Sequence, residues 1–294
     1  MLRASAFVPG HVTGFFEIRD NAKKKRHRGS RGVGICLSRG VHTVVGITSS
    51  KTQSIDVLID NKTAQAPVTK HVVKRILGNE LLKVKISSTL ELPQGQGFGM
   101  SGAGALSASL ALAKALELEI SRDEIVCMAH EAEIEYSTGL GDVVPQSVGG
   151  MVIRKMEGCP PFGMIDQISP ENTDIVCCVI GEQLPTKTII TNEEYKKRIN
   201  EDGKRCLQEL LKNPTQEKMM HLSFEFSKNT GLLSGELEDA IAAVKKYGQA
   251  SMSMLGNSIF AMGDTGIMAK ILKDFGEVYI CKMDSEGARV VKGR

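Results

Sequence analysis

The sequence predicts an α+β protein of two domains, and three observations carry that prediction. The first ninety residues read as strands. A glycine-rich loop then opens a long Ala/Leu helix. The remainder beyond Pro160-Pro161 follows a β-helices-β-β-α-β order, which suits helices layered on one face of a sheet. The expected domains are residues 1–168 and 169–294, divided near Ser169.

Short or alternating apolar runs predict strands at Arg3–Val8, Gly14–Ile18, Val33–Leu37, His42–Thr48, Ile55–Ile59 and Leu82–Ser87. Turn formers separate them, including Pro9-Gly10 and Asp60-Asn61. An amphipathic helix is expected over Val68–Leu77. The next, from Ser101 to Leu118, is apolar on nearly every face and is expected to be buried. Ser121 and Glu124 form a capping-box pattern, and the helix they open is expected to stop at Gly139 and Gly141. Beyond Pro160-Pro161 we expect a strand at Ile175–Ile180 and helices starting at Thr191/Glu194, Asn213-Pro214 and Ser234. A strand pair broken at Gly256-Asn257, a helix over Thr265–Phe275 and a strand over Val278–Met283 complete the chain.

Composition narrows the function classes. Lys and Arg total 37 against 34 acids, so the net charge of +3 does not by itself call for nucleic acid. Trp is absent and aromatics make up 4%, leaving few surfaces on which bases stack. The seven cysteines form no C-x-x-C pair, and an odd count without metal spacing reads as reduced thiols. The first residues, MLRASAFVPGHV, lack the apolar segment of a secretory leader, and no run approaches the ~20 apolar residues needed to span a bilayer. A cytoplasmic setting with no membrane partner is expected.

The stretch PQGQGFGMSGAG, residues 93–104, places Gly95, Gly97, Gly99, Gly102 and Gly104 at the start of the buried helix. Helix N-termini present unpaired N–H groups and about half a positive charge, and glycine lets a backbone approach a phosphate closely. The P-loop spacing is absent, and no lysine follows the glycines until Lys114. Such a loop either cradles phosphates with its amides or only permits tight packing; its glycine density at a true helix start favours the cradle. A bound nucleotide calls for Mg²⁺, which takes one or two hard oxygens from protein. Ser101 stands at the helix start, Glu131 on the next helix and Asp142 in the glycine-flanked loop beyond it. Glu131, Glu133 and Glu135 also read as a solvated face, and Asp142 as a loop residue bonding its own backbone.

This combination resembles the GHMP kinases, small-molecule kinases whose glycine motif P-x-G-x-G-L-G-S-S-A-A matches PQGQGFGMSGAG. The resemblance implies an N-terminal ribosomal-protein-like βα domain and a C-terminal ferredoxin-like domain. It implies ATP on Pro93, Gly95, Gly97, Gly99, Ser101, Gly102, Ala103 and Gly104, with Ser101 and Glu131 as Mg²⁺ ligands and Asp142 as the base on the accepting hydroxyl. The family's P-G-[KR] motif matches Pro9-Gly10-His11, which puts His11 in the catalytic set, although a histidine is only partly charged near neutrality. SMSMLGNSIF keeps only Gly256 of the third motif, and a supporting role beside nucleotide or substrate is expected for it.

Within the superfamily, AFVPGHVTGFFEI, RGSRGVGI and GLGDVVPQSVGG are most similar to archaeal kinases acting on pantoate on the way to coenzyme A. The resemblance therefore implies pantoate as acceptor and pairing as a homodimer. Other small hydroxylated acceptors (mevalonate, homoserine, shikimate) and a non-catalytic RNA-binding module are the rival readings. The basic run AKKKRHRGSRGVG is a solvated loop, a nucleic-acid patch or the source of a carboxylate contact. For that contact Arg31 is the first candidate and Arg28 the second, because Arg binds carboxylates through paired hydrogen bonds.

Overall fold

The computed structural model describes residues 2–168, 173–184 and 186–291, so the expected boundary at Ser169 lies outside the described residues. Its elements run β1 (Leu2–Arg19), β2 (Gly29–Ser49), β3 (Ser54–Ile59), β4 (Lys62–Thr63), α1 (Pro67–Leu77), β5 (Leu82–Leu90), α2 (Met100–Ala115), α3 (Arg122–Tyr136), α4 (Val143–Val148), β6 (Met151–Met156) and β7 (Met164–Ile168). There follow β8 (Asp174–Val179), α5 (Thr186–Ile190), α6 (Glu193–Lys212), α7 (Gln216–Asn229), α8 (Gly235–Val244), β9 (Gly248–Met252), β10 (Ser258–Gly263), α9 (Thr265–Leu272), β11 (Glu277–Lys282) and β12 (Arg289–Val291).

Four of the expected strands merge into two long ones. Pro9-Gly10 is a register shift inside β1 rather than a turn, and β1 pairs antiparallel with β2 along nearly its whole length. The glycine lets the strand kink at close quarters, since a Cβ on Gly10 would sit 2.9 Å from the Arg39 carbonyl oxygen. The first half of β2 pairs with β6, and its second half pairs with β5. The first sheet thus runs β12-β1-β2-β5-β3-β4, with β6 and β7 branching from β2. The last strand, β12, returns to pair with β1 at Ser5–Phe7.

Asp60 and Asn61 do form a turn, both with positive φ, as the β3–β4 hairpin requires. Helix α2 lies against β1 and β2 with every residue but Ser101, Gly104 and Lys114 buried. Its many alanines and Gly102 keep it narrow enough for α1 and α3 to pack beside it. The capping box at Ser121 and Glu124 is present.

The second sheet runs β11-β8-β10-β9, so in its own chain order it reads 4-1-3-2, the ferredoxin-like arrangement. Helices α7, α8 and α9 cover it, while α6 and α7 also pack against β1 and tie the two sheets together. Helix α6 is capped by Asn192, whose side chain accepts from the N–H groups of Glu194 and Tyr195; this corrects the expected Thr191 cap by one residue. A further correction concerns the cysteines. Cys127 on α3 and Cys159 in the β6–β7 connection form a disulfide, because the fold brings residues 32 apart in sequence to a Cα separation of 5.1 Å. The other five thiols are free and buried.

Candidate active site

The glycine loop emerges from β5 and turns into α2 through three residues with positive φ, Gly95 (72°), Gly97 (78°) and Gly99 (64°). Only glycine takes that region without strain, and at Gly99 a Cβ would also lie 2.7 Å from Gln146 Nε2. The backbone N–H groups of Gly97, Gly99, Met100, Ser101 and Gly102 make no hydrogen bond, whereas Ala103 N–H donates to the Gly99 carbonyl as the first helical bond. Their carbonyls are engaged instead: Phe98 O accepts from His11 N–H at 3.0 Å, Gly97 O from Ser253 Oγ at 2.8 Å, and Gly99 O from Gln146 Nε2 at 2.9 Å. The loop's carbonyls are thereby engaged by the surrounding protein while its amides are left open, the arrangement an anion selects.

The turn at Gly256-Asn257 buttresses this loop. Gly256 packs so closely that a Cβ would lie 2.1 Å from the Gln96 carbonyl carbon, and Ser258 Oγ donates to Gln96 O at 2.6 Å. The expected supporting role of that turn is thus toward the loop backbone.

Beneath the amides, a cleft is lined by Thr13, Phe16, Ser30, Ser101, Glu133, Asp142, Arg154, Met254 and Leu255 among others. Asp142 is 26% exposed and faces the cleft. Behind it stands His11, wholly buried, with Nδ1 2.7 Å from Asp142 Oδ1; Thr13 Oγ1 donates to the same oxygen at 3.4 Å. Burial raises the Asp142 carboxyl, but the hydrogen bond and electrostatic pull of the His11 imidazole, the Arg154 charge and the Thr13 hydroxyl more than offset it and hold the group below the usual aspartate range. Burial pushes the His11 imidazole down and keeps it neutral, against the opposing pull of Asp142. His11 therefore supplies no cation at the position where the family motif carries one.

The cation is Arg154. It sits on β6 with 3% exposure, lines the cleft, and leaves Nε and Nη1 without a hydrogen-bond partner. A buried guanidinium with free donors is costly unless something accepts from it. In sequence Arg154 is one of two adjacent cations, with Lys155, in the strand MVIRKM, and only the fold shows that Arg154 is the one turned inward.

Arg31 and Arg28 are not brought to the cleft. Arg31 Nε donates to Glu157 Oε2 at 2.7 Å, and Arg28 donates to the carbonyls of Ala22 and Lys23, closing the basic loop on itself. Much of the basic run is spent on α3: Lys25 pairs with Glu135 and Arg26 with Glu131.

Glu131 is likewise corrected. It pairs with Arg26 and with Arg75 Nη1 at 2.6 Å, on the side of α3 away from Ser101. Two residues along a helix rotate the side chain by ~200°, so the carboxylate facing Ser101 is Glu133. Glu133 is 2% exposed and accepts from Thr138 Oγ1 at 2.9 Å; burial, then the nearby Asp142 charge, push its carboxyl up to about 7. Ser101 and Glu133 provide two hard oxygens at the edge of the amide cradle. That is the number Mg²⁺ takes from protein when phosphates and water supply the rest. Among the described residues no group of three or more His, Cys, Asp or Glu side chains is placed to hold a metal unaided.

A second, mostly apolar cavity adjoins the cleft across the start of α2, sharing Met100, Ser101 and Thr138 with it and walled by Val57, Ile59, Pro67, Val68 and Leu90. No helix among the described residues is long and apolar enough to cross a membrane.

An open amide cradle, two adjoining cavities and an acid facing a buried arginine define a phosphotransferase site on a two-sheet scaffold. Residues 65–150 match the model for the GHMP kinases N terminal domain, and the chain belongs to the GHMP kinases. It is 36% identical to the pantoate kinase of Methanocaldococcus jannaschii, over 94% of this chain and 99% of that one. The pantoate kinase of Thermococcus kodakarensis is 34% identical over 87% and 86% respectively. A solved structure described as "Phosphotransferase related to CoA biosynthesis pathway" superposes with a TM-score of 0.89 at 30% identity, covering 99% of both chains.

Proposed function

We propose that this chain is an ATP-dependent kinase that phosphorylates the hydroxyl of pantoate, yielding 4-phosphopantoate and ADP on a route to coenzyme A. The observation that carries the reading is the pairing, in one cleft, of open helix-start amides with a buried, unpartnered Arg154. The amides of Gly97 to Gly102 take the ATP phosphates, and the apolar cavity takes the adenosine. Arg154, whose buried guanidinium keeps free donors at the cleft, takes the acceptor's carboxylate. Phe16, Met254 and Leu255 give the cleft an apolar wall suited to an aliphatic acid.

Ser101 and Glu133 are the residues that would hold Mg²⁺, whose charge would help neutralise the phosphates. In the transfer step the acceptor's hydroxyl oxygen forms a bond to the terminal phosphorus as the bridging P–O bond to ADP breaks. Asp142, kept ionised by His11 and Arg154, receives the hydroxyl proton. Phosphoryl transfer needs chiefly alignment and charge neutralisation, and this cleft supplies both. The sequence-based expectations of a cytoplasmic homodimer and of domains at 1–168 and 169–294 belong to the same proposal.

Purified enzyme offered ATP with pantoate, mevalonate, homoserine and shikimate tests it. ADP release on pantoate above the others is the expected result, and turnover confined to another acceptor overturns the substrate assignment.

A further inference from the structure

The imidazole of His11 is placed to do one task and barred from another. Its Nδ1 lies 2.7 Å from Asp142 Oδ1, a separation that requires one proton between them. Its Nε2 is buried with no hydrogen-bond partner. The ring fills the space where residue 34 would carry a side chain: a Cβ on Gly34 would lie 2.2 Å from Nε2 and 2.5 Å from Cε1. A buried N–H without an acceptor is rarer and more costly than a buried lone pair without a donor. Nε2 is therefore the bare nitrogen, and the proton is on Nδ1.

We propose that His11 is a positioning residue, a neutral imidazole protonated at Nδ1 alone, which fixes the Asp142 carboxylate from behind and takes no proton during turnover. The order is the reverse of a nucleophile–His–Asp relay, in which the histidine meets the substrate and the acid stands behind it. Here the acid faces the cleft and the histidine is sealed beneath it, against the backbone of β2. A proton arriving on Asp142 cannot pass on through Nε2, because nothing there accepts it. It must leave by the cleft, to solvent or to the departing phosphoryl product.

The charged and titratable groups facing this pair come from three other elements: Arg154 on β6, Glu133 on α3 and the Cys36 thiol on β2, with Thr13 beside His11 on β1. Only Arg154 is a cation, and its charge disfavours a second one on His11. The inference rests on the reading of Asp142 as proton acceptor, but its first test does not.

That test is the ring-nitrogen NMR of the wild-type protein labelled on histidine, followed from pH 6 to 9. The structure buries two imidazoles, and they should carry opposite tautomers. His130 faces the Arg28 carbonyl through Nε2 at 2.8 Å, so it should be protonated there, while His11 should show a protonated Nδ1 and a bare Nε2 throughout. Two slowly exchanging rings of the same Nε2–H form, or an imidazolium at His11, overturn the proposal.

Kinetics supply the second test. His11→Leu keeps bulk and removes the donor, and we expect kcat to fall ~10–100-fold, the worth of a hydrogen bond to a charged group. The KM for ATP should stay within about twofold, and the acid limb of the kcat profile should move to higher pH as Asp142 loses its donor. His11→Asn, which restores an N–H near the Nδ1 position, should recover part of the loss. A His11→Leu protein that melts like wild type and keeps both kcat and the acid limb overturns the proposal. If the variants fail to fold, the tautomer measurement decides alone. Full turnover by Asp142→Asn would instead sink the base reading and leave the tautomer result intact.

Discussion

Replacing Glu133 by glutamine should make the ligand-free protein more stable at pH 8 and leave it nearly unchanged near pH 4.5. The carboxyl is pushed from 4.5 to about 7 by burial and by the Asp142 charge. In the unfolded chain it ionises at its ordinary value, so between pH 4.5 and 7 the folded state binds more protons than the unfolded one. Stability then falls as pH rises through that window, and the loss is complete above about 7. At about 1.4 kcal/mol per tenfold change in proton affinity, the full penalty is roughly 3 kcal/mol. Glutamine has the same shape, keeps an acceptor for Thr138 and carries no charge. Urea unfolding of wild type and Glu133→Gln from pH 4.5 to 8.5 measures the difference directly. A gap that opens as pH rises supports the reasoning. A gap of constant size, or one that closes, refutes it, because an ionised carboxylate would then cost nothing in that position. The same variant should need far more Mg²⁺ for turnover. The destabilising charge is thus one that bound metal would compensate, a trade of stability for function.

Three other outcomes follow from the same geometry. Arg154→Met should raise the KM for the acceptor acid about 10–100-fold with a smaller change for ATP, as loss of a charged hydrogen-bond pair implies; an unchanged acceptor KM removes Arg154 from the carboxylate role. Gly99→Ala forces a side chain into a positive-φ position and against Gln146, so affinity for an ATP analogue, measured by calorimetry, should drop at least about tenfold. Glu131→Gln should leave the Mg²⁺ titration of activity where it is, since that carboxylate is occupied by Arg26 and Arg75 on another face of α3; a shifted titration would return Glu131 to the metal.

Much of this scaffold could be read from sequence because its signals are local. Glycine density before an alanine-rich run gave the loop and α2, and Ser121 with Glu124 gave the start of α3. A sheet with helices on one face followed from the alternation of elements after Pro160-Pro161, and its ferredoxin-like character from the resemblance to the GHMP kinases. What stayed hidden depended on long-range packing. Three glutamates at alternate positions of α3 look alike in sequence, and only the neighbour across the helix decides that Glu133 is buried while Glu131 meets arginines. Arg31 reads as free because its partner Glu157, 126 residues away, cannot be paired with it by spacing. Pro9-Gly10 reads as a turn until β2 is seen to continue past it. The Cys127–Cys159 bond and the His11–Asp142 contact are of the same kind, since each joins elements that meet only in the folded chain.

A crystal structure with a non-hydrolysable ATP analogue, Mg²⁺ and pantoate examines the whole arrangement at once. The terminal phosphates should lie within hydrogen-bond distance of the Gly97–Gly102 amides, with the pantoate carboxylate on Arg154 and its hydroxyl beside Asp142. Phosphates held elsewhere, with those amides untouched, would contradict it.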